Sequence, residues 1–299
     1  MPPPVTEPCI AIFGPGLLGG SMARALQRSS PQCRVHVWGR REQALPEIRE
    51  SGVASLVSTD VRAVVEGASL VVLAVPVRAM PELGAQIAPL IGPDTLVTDA
   101  GSVKQCVVEA LEPLFASGRA GFIGSHPMAG SHETGFAAAR ASLFDGATCL
   151  LTPTANTHPG AVERVTAFWT SLGCDPRRIL QLALETHDRK VARISHMPHA
   201  AAFALVRAAL GSDPSAVQCA GPGFRDATRI AGSDPDLWTG ILMENRQAVL
   251  DSLEDVSAQL TELVEIIRNN NEIALRRFLS EAKALQQLIP VEPKTHGHD

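Results

Sequence analysis

The chain has no tyrosine at all, and its 299 residues include only three tryptophans and nine phenylalanines. Any mechanism that uses a phenol as acid, base or donor is excluded. Lysine is nearly as scarce: Lys104, Lys190, Lys283 and Lys294 are the whole set, so arginine supplies most of the positive charge. The six cysteines (Cys9, Cys33, Cys106, Cys149, Cys174, Cys219) contain no C-x-x-C pair. Such scatter suits reduced, small apolar side chains better than disulfides or a zinc cage. There is no long hydrophobic run. The longest, residues 68–77, is far below the ~20 residues a membrane-spanning helix needs, so no membrane partner is expected. Met1-Pro2-Pro3-Pro4 lacks the basic and apolar regions of a secretion signal, and a cytoplasmic location is expected. A formal net charge of −5 leaves no basic surplus for nucleic acid.

What the chain does contain is 45% apolar and 19% charged residues, enough for one large globular domain or two ordinary ones. Its first half alternates short runs rich in Val, Ile and Leu with helix-like stretches, as a parallel sheet covered on both faces requires. Strands are expected at 9–13, 34–38, 70–75, 95–99, 121–125 and 149–152. The predicted fold is α/β, a doubly wound Rossmann-type parallel sheet followed by a second, all-helical domain for substrate binding and dimerisation. From about Val162 the apolar residues recur at helical spacing, apart from a short strand at 178–182. Pro198 is expected to kink or break the apolar stretch 191–210. Val249, Leu253, Val256, Leu260, Leu263 and Ile267 step by four and three, the seam with which two helices pack lengthwise, and a homodimer is expected through it. The domain reading is residues 1–180 for the nucleotide, 181–290 for the helical domain and 291–299 for a polar tail.

Directly after the first strand stands Gly14-Pro15-Gly16-Leu17-Leu18-Gly19, and 21–28 reads as a helix. In G-x-G-x-x-G the first glycine allows a tight turn, the second lets backbone approach a pyrophosphate, and the third lets helix and strand pack closely. NAD binding ordinarily places an acid at the end of the second strand. Here that position reads Gly39-Arg40-Arg41, and guanidinium forks suit a 2′-phosphate, so NADP is favoured with NAD as the alternative.

The segments Asp99–Lys104 and Gly124–Gly130 both follow predicted strands, where open α/β sheets hold ligands. His126, among small residues there, suits a base or hydrogen-bond partner at neutral pH. In the helical half, His187-Asp188 and Ser195-His196-Met197-Pro198-His199 place polar groups in apolar surroundings. Arg225 and Arg229, with glycine, Thr228 and Trp238 nearby, suit a small carboxylate-bearing substrate. Metal ligation by His187, His196 and His199 competes with that use, but no H-E-x-x-H spacing accompanies them and no metal is expected.

These residues carry a resemblance. The glycine loop, Val75-Pro76, Asp99-x-Gly-Ser-Val-Lys104, Ser125-His-Pro-Met-Ala-Gly130, His187-Asp188, Ser195-His-Met-Pro-His199, Gly223-Phe-Arg-Asp-Ala-Thr-Arg229 and Trp238 together resemble the prephenate/arogenate dehydrogenase family. The resemblance implies an NAD(P)-dependent oxidative decarboxylation in tyrosine biosynthesis, giving 4-hydroxyphenylpyruvate from prephenate. It also implies roles for individual residues. His126 would receive the C4 hydroxyl proton, with Ser102 orienting it. His196 and Arg229 would hold substrate carboxylates, Trp238 would shape the pocket, and Asp226 and Arg225 would support it. Leu17, Leu18, Val75 and Pro76 would line the nucleotide with Gly14, Gly16, Gly19, Gly39, Arg40 and Arg41. Many members have Thr or Ser and then Glu after the glycine of the His-Pro-Met-Ala-Gly block. This chain has Ser131-His132-Glu133, and an imidazole suits the keto acid of prephenate better than the ammonium of arogenate. The alternatives are an arogenate or dual-specificity cyclohexadienyl dehydrogenase, and a Rossmann-type β-hydroxyacid or imine reductase. A further alternative is an NADP sensor without catalysis. The chain is expected to be the catalytic core, without an appended regulatory or mutase domain.

Overall fold

In the computed structural model the described residues are 8–118, 121–131 and 133–289. The chain begins with β1 (Cys9–Phe13), turns through the glycine loop into α1 (Leu17–Ser29) and returns in β2 (Arg34–Trp38). Then come α2 (Pro46–Glu50), β3 (Leu56–Ser58), α3 (Val61–Val65), β4 (Leu70–Leu73), α4 (Met80–Ile87), β5 (Leu96–Asp99) and α5 (Gln105–Phe115). β6 (Phe122–Pro127), β7 (Cys149–Thr152), α6 (Ala161–Leu172) and β8 (Ile179–Gln181) complete the sheet. The rest is helical: α7 (Leu184–Val191), α8 (Met197–Leu210), α9 (Pro222–Thr228), α10 (Pro235–Glu244), α11 (Arg246–Arg268) and α12 (Glu272–Gln286).

The strand order is β3-β2-β1-β4-β5-β6-β7-β8. Its first six strands are parallel and reverse direction of travel between β1 and β4, which makes the crevice above them the expected ligand site. β1 shows why a two-sided core forms. Ile10 and Ile12 enter one hydrophobic cluster, while Cys9, Ala11 and Phe13 enter the other, because successive side chains point to opposite faces.

The structure corrects the expected sheet in three places. β7 runs antiparallel to β6, so the sheet is not wholly parallel. A parallel return needs a crossover, usually helical, and the described residues between β6 and β7 contain no α-helix. That pairing also carries β6 past Ser125, with His126 opposite Leu150 and Pro127 opposite Cys149. His126 therefore stands on a strand, not in the loop after it. β3 was not foreseen, three residues being too short for a period to register.

Pro198 does not break its helix. α7 passes into a single π turn, Ala192–His196, and α8 resumes with Pro198 in its first turn. Proline lacks an N–H and its ring crowds the carbonyl four residues back, and the wider turn accommodates both. α10 sends Trp238 and Ile241 into the same cluster as Val77, Met80, Val103 and Val107, and Arg78 Nε meets Glu244 Oε1 at 2.9 Å. By its internal contacts the chain divides after Val249. In the second unit the link between α11 and α12 is Asn269-Asn270-Asn271. Asn270 takes a left-handed φ of 50°, and the Asn271 side chain accepts from Ala274 N–H at 3.0 Å. Among the described residues no helix is long and apolar enough to cross a membrane.

Candidate active site

The glycine loop is built as its spacing predicts. Gly14 has a φ of 109°, and a Cβ there would stand 2.4 Å from the Ala74 carbonyl oxygen. A Cβ on Gly19 would lie 2.0 Å from the Gly14 oxygen. At Gly16, by contrast, nothing comes within 4 Å of that position. Gly16 is the N-cap of α1 and supplies no side-chain cap, so no capping side chain competes for the first-turn N–H groups, as a pyrophosphate requires. Leu17 and Leu18, both half-buried, form that first turn. Val75 packs beside Gly14, and exposed Pro76 follows it. Gly39 is needed because side chains crowd it: a Cβ there would stand 2.5 Å from Leu45 and 3.2 Å from Pro15, which brings the end of β2 against the loop. Arg40 and Arg41 are exposed there, and the first acid after β2 in the chain, Glu42, is paired with Arg49 at 2.6 Å. The chain thus fits a dinucleotide. One glycine of this helix was missed from sequence: at Gly20 a Cβ would meet Phe136 and Ala139 at 2.7 and 2.8 Å, so the β6–β7 connection lies directly on α1.

Beneath the carboxyl ends of β5 and β6 lies a buried polar platform. Lys104, fully buried, pairs with Asp99 and donates to the Ser125 carbonyl at 3.0 Å. Asp99 also accepts from Gly101 N–H at 2.8 Å and Ser125 N–H at 3.1 Å. Ser125 Oγ donates to the Asp99 carbonyl and accepts from Trp169 Nε1 at 2.9 Å. A buried charge is tolerated when it is paired and hydrogen-bonded, and here Lys104 has both a carboxylate and a carbonyl acceptor. Its effect is to lock the Gly101-Ser102 turn to the strand that carries His126.

His126 Nδ1 lies 3.0 Å from His187 Nε2, and His187 Nδ1 lies 2.7 Å from Asp188 Oδ1. Asp188 is ordered in turn by the start of α5, where Lys104 N–H donates to Oδ1 at 2.8 Å and Gln105 N–H to Oδ2 at 3.0 Å. Burial pushes the Asp188 carboxyl up, but the bonds from His187 and these two N–H groups outweigh it and hold it below its usual value. An ionised carboxylate only accepts, so His187 Nδ1 carries the proton and Nε2 is bare. His126 Nδ1 must then donate, which leaves His126 Nε2 as a free acceptor. Burial, followed by the electrostatic influence of His187, Lys104 and His196, drives the His126 pKa well below the ordinary value of 6.5. The ring is a neutral base. The sequence singles out His187-Asp188, but no local pattern ties the pair to His126.

His196, fully buried in the π turn, has its pKa pushed down to about 4 by burial. Its Nδ1 is 3.1 Å from Asn245 Nδ2, a residue the motifs did not single out. The Ser102 backbone approaches the His196 ring, but among the described residues Nε2 finds no partner in hydrogen-bond geometry. Trp238 stacks on His199 at 3.6 Å and meets His196 edge-on at 6.1 Å. Exposed Arg229 is close enough to depress His199 further, after burial and against its bond to the Ser195 carbonyl. The structure thus gathers Ser102, His126, His196, Trp238 and Arg229 around one region. Arg225 and Asp226 are exposed on α9, and among the described residues no ion pair draws them into it. Ser131 is half-buried after β6, with its Oγ accepting from Glu133 N–H at 3.2 Å. His132 lies outside the described residues.

A glycine cradle beside a neutral strand-borne imidazole and a second buried imidazole agrees with what the chain is similar to. The prephenate dehydrogenase nucleotide-binding domain family matches residues 22–176, and the prephenate dehydrogenase dimerization domain family matches 183–281. The chain belongs to the prephenate dehydrogenase family. It is similar to the cyclohexadienyl dehydrogenase of Zymomonas mobilis, with 34% identity over 92% of this chain and 94% of the relative. It is also similar to the prephenate dehydrogenase of Bacillus subtilis, with 32% identity over 95% and 77% respectively. A solved A. aeolicus prephenate dehydrogenase, in complex with hydroxyphenyl propionate and NAD+, superposes with a TM-score of 0.88 at 30% identity, covering 96% of this chain and 99% of that one. As a member of this family the chain is a dehydrogenase that uses a nicotinamide cofactor.

Proposed function

We propose that the chain oxidises prephenate, with His126 as the base. The observation that carries this reading is the bare Nε2 of His126, fixed by the His187 and Asp188 bonds behind it. A dinucleotide held at the Gly14–Gly19 turn would supply the hydride acceptor. As hydride leaves C4, positive character builds on the carbinol carbon, and His126 Nε2 takes the hydroxyl proton while that carbon becomes a carbonyl. The C1 carboxylate then leaves as CO2, its bonding electrons aromatise the ring, and the proton returns to the oxygen to give 4-hydroxyphenylpyruvate. His196 Nε2 and the Arg229 guanidinium hold the substrate carboxylates, Ser102 orients the hydroxyl, and Trp238 with His199 walls the ring. We assign Ser131, His132, Arg225 and Asp226 to substrate binding as well. Mixing the protein with prephenate and NADP should raise reduced-cofactor absorbance and release CO2 in equal amounts; no turnover would refute the reading.

NADP is the favoured cofactor. Arg40 and Arg41 are exposed beside the glycine loop, while Glu42, the first acid after β2, is held by Arg49. Replacing both arginines by alanine should lower kcat/KM for NADP at least tenfold and leave NAD nearly unchanged. A second substrate reading, arogenate, is favoured by the cyclohexadienyl relative and by exposed Glu133. Paired assays decide, and faster arogenate turnover would reverse the preference. Homodimerisation through the helices is supported by exposed Leu260, Ile267, Leu279 and Leu285 on α11 and α12. Free Cys9, Cys106, Cys149, Cys174 and Cys219 suit a cytoplasmic setting.

A further inference from the structure

Asn245 is buried between α10 and α11, where its amide joins two chains of bonds. Its Nδ2 lies 2.9 Å from the Asp188 backbone oxygen and 3.1 Å from His196 Nδ1. The Asp188 carbonyl has no hydrogen to give, so the atom facing it must be the amide nitrogen; turning the amide over would set oxygen against oxygen. The second hydrogen of that NH2 group then meets His196 Nδ1. A ring nitrogen facing an N–H must be bare, which leaves the ring proton on Nε2. Among the described residues that buried Nε2 makes no hydrogen bond of normal geometry, although the Ser102 backbone lies near the ring, the condition of a donor able to turn to a ligand.

We propose that Asn245 is a positioning residue that holds His196 as a hydrogen-bond donor at Nε2, the reverse of the acceptor that Asp188 and His187 make of His126. Asp188 orders both rings, through its carboxylate on one side and its main-chain carbonyl on the other. The site therefore reads its substrate in one direction. A hydroxyl finds a lone pair at His126 and an anionic oxygen finds an N–H at His196; a ring acid bound the other way round would set its carboxylate against the His126 lone pair. The inference rests on the assignment of His196 to a substrate carboxylate.

The full chain labelled with 15N in histidine tests it, because long-range proton–nitrogen correlation reads which ring nitrogen carries hydrogen, with His196 assigned by its absence in His196→Gln. The expected wild-type state is Nε2–H, and Nδ1–H in the free enzyme would overturn the proposal whether or not any variant folds. Asn245→Asp offers an acceptor in place of the donor and should move the proton to Nδ1. Both Asn245→Asp and Asn245→Ala should raise KM for prephenate at least tenfold, the loss expected for one hydrogen bond to a charged group, with KM for the nicotinamide cofactor within twofold. A tautomer that stays on Nε2 in Asn245→Asp would overturn control by Asn245. A proton that moves while KM for prephenate stays within twofold would leave that control standing and overturn the assignment of His196 to the substrate.

Discussion

Burial lowers the His126 pKa well below 6.5, so the ring that must accept a proton is already neutral across the physiological range. Protonation would disable it, and the acid limb of kcat/KM should therefore fall below pH 6.5; a limb at or above that value, measured over pH 4 to 9, would contradict the assignment. His126→Asn should lower kcat by roughly 10²- to 10⁴-fold with an intact fold by circular dichroism. Asp188→Asn removes the negative charge and sets an NH2 group where an oxygen accepts from Gln105 N–H or from His187, and kcat should drop about tenfold or more while KM for the cofactor holds. His126 was legible in the sequence because small residues and a strand end surround it. His187 was not, since its contact with His126 spans 61 positions and only folding closes that distance.

Among the elements, the turn from β1 to α1 was the most legible, because each glycine answers a local steric demand. Gly16 and Gly19 nevertheless differ in kind. Gly19→Ala forces a methyl onto the Gly14 carbonyl and should destabilise the protein by about 1–3 kcal/mol in urea unfolding. Gly16→Ala meets nothing within 4 Å, so stability should change by about 0.5 kcal/mol or less while the cofactor Kd rises, by titration, about tenfold or more. Equal unfolding losses for the two would contradict this division. Gly20 escaped notice because its neighbours Phe136 and Ala139 arrive from the β6–β7 connection, far along the chain. Pro198 was legible as an irregularity, but a π turn and a break look alike in sequence. The outcome matters because the π turn carries His196.

At the scale of the molecule, His126, His187 and His196 are all buried with lowered pKa values, so the folded chain resists protons that the unfolded chain accepts. Stability should then be unaffected by these groups above pH 6.5 and fall as pH drops below it, by about 1.4 kcal/mol per pH unit for each imidazole. For His196 the fall extends to about pH 4. Urea midpoints measured from pH 7 to 4.5 should show this slope, and His196→Gln should flatten it; an unchanged slope would oppose the buried neutral ring. Sedimentation should give a dimer mass, and Leu279→Glu, at a position 55% exposed in the isolated chain, should shift it to monomer.

By itself, the sequence determined the two-sided strands, the phosphate-binding turn and the helical second half, because each follows from the spacing of neighbouring residues. Only the tertiary structure decided the reversed β7, the contact of Gly20 with the connection, and the polarity of the two imidazoles. Those depend on which distant atom a hydrogen bond finds. A bond's direction is set by the chemistry of both partners, and no local pattern contains the second one.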